Sequence, residues 1–162
     1  MTFRAQGLPA PETSDLGILV LLAYQGFTRR LHADVAAKGF GDLGGSDGIV
    51  MRIVGAQPRT VSELAALLEV TPQAAAQLVD GMERRGYVVR RQDPRDGRAR
   101  LVGLSDRGRD LIDAARAFHR RSEALLVDEL GRETIDQFRS VLGAMAEGAP
   151  AGIDRELRSL YL

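Results

Sequence analysis

The residues with the plainest chemistry are the arginines of RRQDPRDGRAR, residues 90–100, five in eleven positions around Asp93-Pro94 and Asp96-Gly97. A guanidinium group is permanently charged and planar, and its partners are phosphates and carboxylates. From Arg84 to Arg100, seven arginines stand against two aspartates, a local balance of plus five in a chain of formal net charge zero. The rest must be acidic by the same amount, so positive charge is gathered in one place. Upstream lie Thr71, Gln73, Ala74 and Gln77. Glutamine can bond adenine bidentately, an alanine methyl can touch a thymine methyl, and a threonine beside free helix amides suits a phosphate. An arginine-rich turn alone is more often a solvated loop, and exposed glutamines are often only helix formers. The order of the two groups raises the reading toward nucleic acid.

Other chemistry is thin. The chain has no cysteine, which excludes disulfides, thiol nucleophiles, thiolate zinc sites and a thiol redox switch, and fits a reducing cytoplasm. His32 and His119 are the only histidines and fall on different expected helices, so no metal site is expected. No glycine-rich phosphate loop and no Ser/His/Asp order appears, so no enzyme and no cofactor are expected. The 162 residues, 44% hydrophobic and 27% charged, suit one domain or two small lobes sharing a core. The apolar run Ile18–Ala23 is too short to span a bilayer, and the first fifteen residues hold no stretch of signal-peptide length. A cytoplasmic protein that does not engage membranes is the expectation.

Several elements must position the arginines. Ser14-Asp15 can cap a helix in which Leu16, Leu19, Ala23, Phe27, Leu31 and Val35 form a buried stripe. A glycine-rich loop over 39–48 follows, then a short helix over about 46–55. Thr60-Val-Ser-Glu63 is a capping box opening a helix with Val61, Leu64, Ala65 and Leu68 on its apolar face. Thr71-Pro72 starts another, with Ala75, Leu78, Val79 and Met82 inward and Gly86 as its stop. Tyr87–Arg91 and Arg98–Leu104 read as two strands of a hairpin. Ser105-Asp106 caps a long helix whose Leu104, Gly108, Leu111, Ala115, Phe118, Ser122 and Leu125 form a heptad-like seam. A further helix over about 133–147 carries Ile135, Phe138, Leu142 and Met145. The tail IDRELRSLYL is amphipathic and too short to stand alone.

Two short helices, a tight turn and a basic hairpin make a winged helix-turn-helix. The second helix would enter the major groove with Gln73, Ala74 and Gln77. The hairpin tip would place Arg95 in a narrow minor groove, with Asp96 pairing with Arg98 to stiffen it, while Arg90, Arg91 and Arg100 meet phosphates. The run TVSELAALLEVTPQAAAQLVDGMERRGYVVRRQDPRDGRARLVGLSDRGRDL, residues 60–111, resembles the MarR (multiple antibiotic resistance regulator) family. The resemblance rests on Gly86-Tyr87-Val88, Asp93-Pro94-x-Asp96-x-Arg98 and Leu104-Ser105-x-x-Gly108.

The resemblance implies a mainly α fold with a small β-hairpin wing. Residues 1–13 would be a lead-in, 14–45 and 105–162 a helical dimerisation lobe, and 46–104 the winged helix-turn-helix. It implies a homodimer on a pseudo-palindromic double-stranded DNA operator, acting as a ligand-responsive repressor. The first helix, the seam and the tail independently want partner surfaces. Family ligands, often aromatic acids or phenols, suggest Tyr24, Phe27, His32, Met51 and Phe118 as an effector pocket. Gly81 and Ala76 stand where relatives often carry longer polar side chains, which would shift affinity toward the wing. The rival reading is a winged helix that docks proteins without sequence-specific DNA binding; the basic wing argues against it.

Overall fold

A computed structural model of the protein describes residues 15–147. The lead-in 1–13, Ser14 and the amphipathic tail named above lie outside them. The elements run α1 (Leu16–Ala37), α2 (Asp47–Ala56), α3 (Val61–Leu67), α4 (Pro72–Arg84), β1 (Val88–Gln92), β2 (Arg100–Leu104), α5 (Asp106–Leu130) and α6 (Arg132–Ala146). The architecture is mainly α with one antiparallel two-stranded hairpin, as expected.

Local signals set the boundaries of the middle. The capping box at the head of α3 is complete: the Thr60 hydroxyl accepts from the Glu63 amide at 3.2 Å, and Glu63 accepts from the Thr60 amide at 2.7 Å. A cap of this kind stabilises a helix by about 1 kcal/mol. The turn to α4 passes through Glu69, which has a φ of 50°. Thr71 caps α4 by accepting from the Ala74 amide at 3.2 Å, with Pro72 in the first turn. At its far end Gly86 has a φ of 77°, and Tyr87 and Gly86 donate back to the carbonyls of Met82 and Glu83, both at 2.9 Å. That paired closure favours glycine at Gly86.

The hairpin pairs Val88 with Leu104, Arg90 with Val102 and Gln92 with Arg100. Strand β2 is also bridged on its outer edge: Arg59 and Val102 exchange backbone bonds of 3.1 and 2.7 Å. The base of the wing therefore sits between the segment before α3 and the end of α4.

One core runs through the molecule. Leu31 and Val35 of α1 pack with Val50, Met51 and Val54 of α2, Leu64 and Leu68, Val79 and Met82, Tyr87, Val88 and Val102, and Leu111, Ala115 and Phe118 of α5. The heptad-like seam of α5 is buried as far as Phe118, but Leu125 is 68% exposed. The expected stripe of α1 is likewise buried only in its second half, with Leu16 and Ala23 open, and Ile18 and Leu21 beside it are also exposed. Of the expected inner face of α6, only Ile135 is buried; Phe138 and Met145 are exposed. No helix among the described residues is long and apolar enough to cross a membrane.

Candidate nucleic-acid interface

Helix α4 buries Ala75, Val79 and Met82 and turns its opposite side outward. Thr71, Gln73 and Gln77 are exposed and Ala74 is half-buried, so the expected base-reading residues share the free side at the start of the helix. The Thr71 oxygen is used as the cap, leaving its hydroxyl hydrogen to donate outward. Gly81 lies further along the same helix. It is buried, and a Cβ there would lie 3.2 Å from Nη1 of Arg85. The position lies under the end of the Arg85 side chain.

The wing tip is built by its aspartates. Asp93 Oδ1 accepts from the Arg95 amide at 2.8 Å, and Asp96 Oδ1 accepts from the Arg98 amide at 3.0 Å. Such turns are what short carboxylate side chains make with a backbone two residues on. The expected Asp96–Arg98 side-chain pair is thus replaced by a bond to the Arg98 backbone, which stiffens the tip and leaves the guanidinium free. Gln92 Nε2 adds a bond of 2.8 Å to the Gly97 carbonyl. Arg91, Arg95, Arg98 and Arg100 are exposed, and their side chains form no ion pair among the described residues.

Arg90 departs from the set. Expected to meet phosphate, it instead pairs with Asp80 Oδ1 at 2.5 Å and with Glu83 of α4. Its side chain is only 20% exposed. Burial lowers its pKa, but the bonds to Asp80 and Glu83 outweigh burial and hold it above the ordinary arginine value. Two neighbouring carboxylates capture a guanidinium that has little access to solvent.

The expected effector residues do not gather around one hollow. Phe27 and Phe118 meet edge-to-face, with ring centroids 5.3 Å apart, and pack against the core. Tyr24 is half-buried and His32 exposed, both on α1. Met51 alone of the set lines a cleft of about 950 Å³ between α2, the wing and α5. Arg52, Arg91, Arg109, Arg116 and His119 also line it. His119 stacks on Phe27 at 5.2 Å, and its Nε2 is buried without a partner. Burial, with the Arg52 charge second, lowers its pKa.

Two supporting networks carry no local sequence signal. Asp47, fully buried, accepts from Arg85 Nη2 at 2.7 Å and from the Gly44 amide at 2.8 Å, joining the head of α2 to the end of α4. The Tyr87 hydroxyl donates to Asp42, and Arg107 Nη2 reaches Asp42 at 3.0 Å, the Gly39 carbonyl at 3.0 Å and Tyr87 at 3.2 Å. Arg107 also lies over the Tyr87 ring, 4.9 Å from its centroid. The Arg107 and Asp42 partners are 65 residues apart and the Arg85 and Asp47 partners 38, so neither network was readable in advance.

Helix-turn-helix, basic hairpin and flanking long helices together define a winged-helix fold. Residues 42–99, just over a third of the chain, match the family model described as MarR family. An uncharacterised helix-turn-helix transcriptional regulator of Bacillus subtilis, YkoM, is 28% identical over 80 residues, 49% of this chain. The match spans about half of that relative, 52% of its length. Among solved structures, RV1404 of Mycobacterium tuberculosis superposes with a TM-score of 0.71 at 22% identity, covering 88% of this chain and 99% of that one. YusO of Bacillus subtilis gives 0.65 at 19% identity, covering 87% and 100%. A Staphylococcus aureus MepR mutant bound to an oligodeoxyribonucleotide gives 0.58 at 20% identity, covering 82% and 96%. These likenesses show the fold.

Proposed function

We propose that the protein is a ligand-responsive transcriptional regulator, acting as a repressor, that binds a pseudo-palindromic DNA operator as a homodimer. Helix α4 reads the major groove through Gln73, Ala74 and Gln77, and the wing inserts Arg95 in the minor groove. The observation that carries this is the wing itself. Four of its exposed arginines, Arg91, Arg95, Arg98 and Arg100, are unneutralised, beside a helix whose N-terminal side is free. Unpaired guanidinium groups on a rigid turn attract phosphate and the negative potential of a narrow groove. The MepR structure with DNA supports the partner class by likeness of fold. On this reading residues 46–104 are the DNA-binding lobe, and the described parts of 14–45 and 105–162 belong to the dimerisation lobe. The arginine-lined cleft beside His119 is where a small aromatic effector, charged to match, would sit.

Selection of bound duplex from a random pool, repeated at two salt concentrations, tests the reading. The expected result is an enriched inverted repeat whose binding weakens steeply with salt and weakens further on Arg95→Ala. Binding to every duplex alike would leave a nonspecific DNA binder. No binding to any duplex would sink the DNA reading in favour of a protein-docking winged helix.

A further inference from the structure

We propose that Arg90 is a positioning residue that locks the wing to helix α4 so that the two engage DNA as one rigid reader, and that it is not a phosphate ligand. The proposal rests on the DNA-binding reading above.

Three bonds make the lock. The Arg90 guanidinium joins Asp80 at 2.5 Å and Glu83, and the Arg90 amide donates to Glu83 Oε1 at 3.3 Å. All three run from the first strand of the hairpin to the last turns of α4. The cluster holds one positive and two negative charges, so a phosphate brought to Arg90 would meet net repulsion unless both carboxylates were displaced. The neighbouring wing arginines have no such partners.

A lock is needed here for a mechanical reason. A two-stranded hairpin is marginal alone and takes its direction from what holds its base. Strand β2 is held by its bridge to Arg59. The outward amide of β1 at Arg90 is held only by Glu83. Arg95 lies five residues further along, roughly 16 Å at the rise of a strand. A base tilt of about 10° would therefore move the tip by about 3 Å, more than a hydrogen bond tolerates. Asp80 and Glu83, acidic residues on a helix that faces a polyanion, are explained as the receptors of this lock.

The test compares wild type, Arg90→Gln, the double variant Asp80→Asn with Glu83→Gln, and the triple variant. Each is titrated with the selected operator and with a random duplex of equal length. A lock predicts that the carboxylate variant loses preference for operator over random duplex by about threefold to tenfold, the coupling expected inside one ion-pair network. Its binding to random duplex holds or tightens. Arg90→Gln loses the same preference, and the triple variant loses no more. A phosphate ligand predicts the reverse: removing the carboxylates frees Arg90 and tightens both duplexes equally, with preference unchanged, and that result would overturn the proposal. Amide hydrogen exchange of the free protein decides the same point without DNA. Faster exchange across β1 and β2 in the carboxylate variant, with α3 and α4 unaltered, supports the lock, and unaltered hairpin exchange refutes it. A wild type that prefers no duplex would sink the DNA reading, leaving exchange to judge the lock.

Discussion

At the scale of single residues, the positions that combine burial with a polar atom are those whose partners determine behaviour. Tyr87 is the clearest. Its ring is in the core while its hydroxyl donates to Asp42 and accepts from Arg107. Burial first, and the Asp42 carboxylate second, push its pKa up to about 12 from an ordinary 10.0. The neutral phenol is thus the folded form. Unfolded chains lose this proton near pH 10 and folded ones near 12, so the stability it confers is whole below pH 10 and drains away as pH rises toward 12. In ultraviolet titration, the difference between wild type and Tyr87→Phe should show a phenol ionising well above the ordinary 10.0. The variant should also lose stability less steeply on the alkaline side. Ionisation of Tyr87 near pH 10, in protein still folded by circular dichroism, would contradict the buried hydrogen-bonded hydroxyl. The charge of the wing arginines was legible in the sequence because it is local. The capture of Arg90 was not, because Asp80 and Glu83 reach it only after a helix stop and a strand start bring them together.

At the scale of elements, the first turn of α5 is wedged under the strand entry. The Ser105 hydroxyl donates to the Gly86 carbonyl and accepts from the Gly108 amide at 2.9 Å. A Cβ on Gly108 would stand 2.1 Å from the Tyr87 carbonyl oxygen and 3.2 Å from Leu104. That oxygen is backbone, itself bonded to the Ser105 amide at 3.1 Å, so α5 must move. Gly108→Ala should cost about 1–3 kcal/mol, the usual range for overpacking, read by chemical denaturation. It should also loosen the hairpin, because Leu104 ends β2. A stability within about 0.5 kcal/mol of wild type, the usual range for changes away from packed sites, would show that α5 can shift freely. The caps at Thr60, Thr71, Gly86 and Ser105 were readable because capping is a contact between residues three or four apart. Periodicity likewise placed every helix of the middle. It did not reveal where burial stops along α1, α5 and α6, because an apolar stripe looks the same whether its cover is the same chain or another one.

At the scale of the whole molecule, that uncovered stripe has a consequence for DNA binding. Leu125, Leu126 and Leu130 near the end of α5 are joined in exposure by Phe138, Val141 and Met145 on α6 and by Leu16, Ile18 and Leu21 at the start of α1. Large apolar side chains left exposed on three helices fit the association of the homodimer proposed above. For the proposed homodimer to read a half-site repeat, its two α4 helices would have to lie about one DNA turn apart, roughly 34 Å. Leu125→Glu with Phe138→Glu should therefore act on assembly before recognition. By analytical ultracentrifugation the wild type should sediment as a dimer at micromolar concentration and the double variant as a monomer. The monomer should keep the affinity of one winged helix for a single half-site. It should lose about 10²- to 10⁴-fold on the full inverted repeat, the gain that linking two sites confers without any new contact. A monomeric wild type would remove the two-fold reader. A double variant that remains dimeric would move the interface elsewhere on the chain. Equal losses on half-site and full repeat would mean that the substitutions had damaged the winged helix itself, which the unaltered caps of α3 and α4 make the least expected outcome.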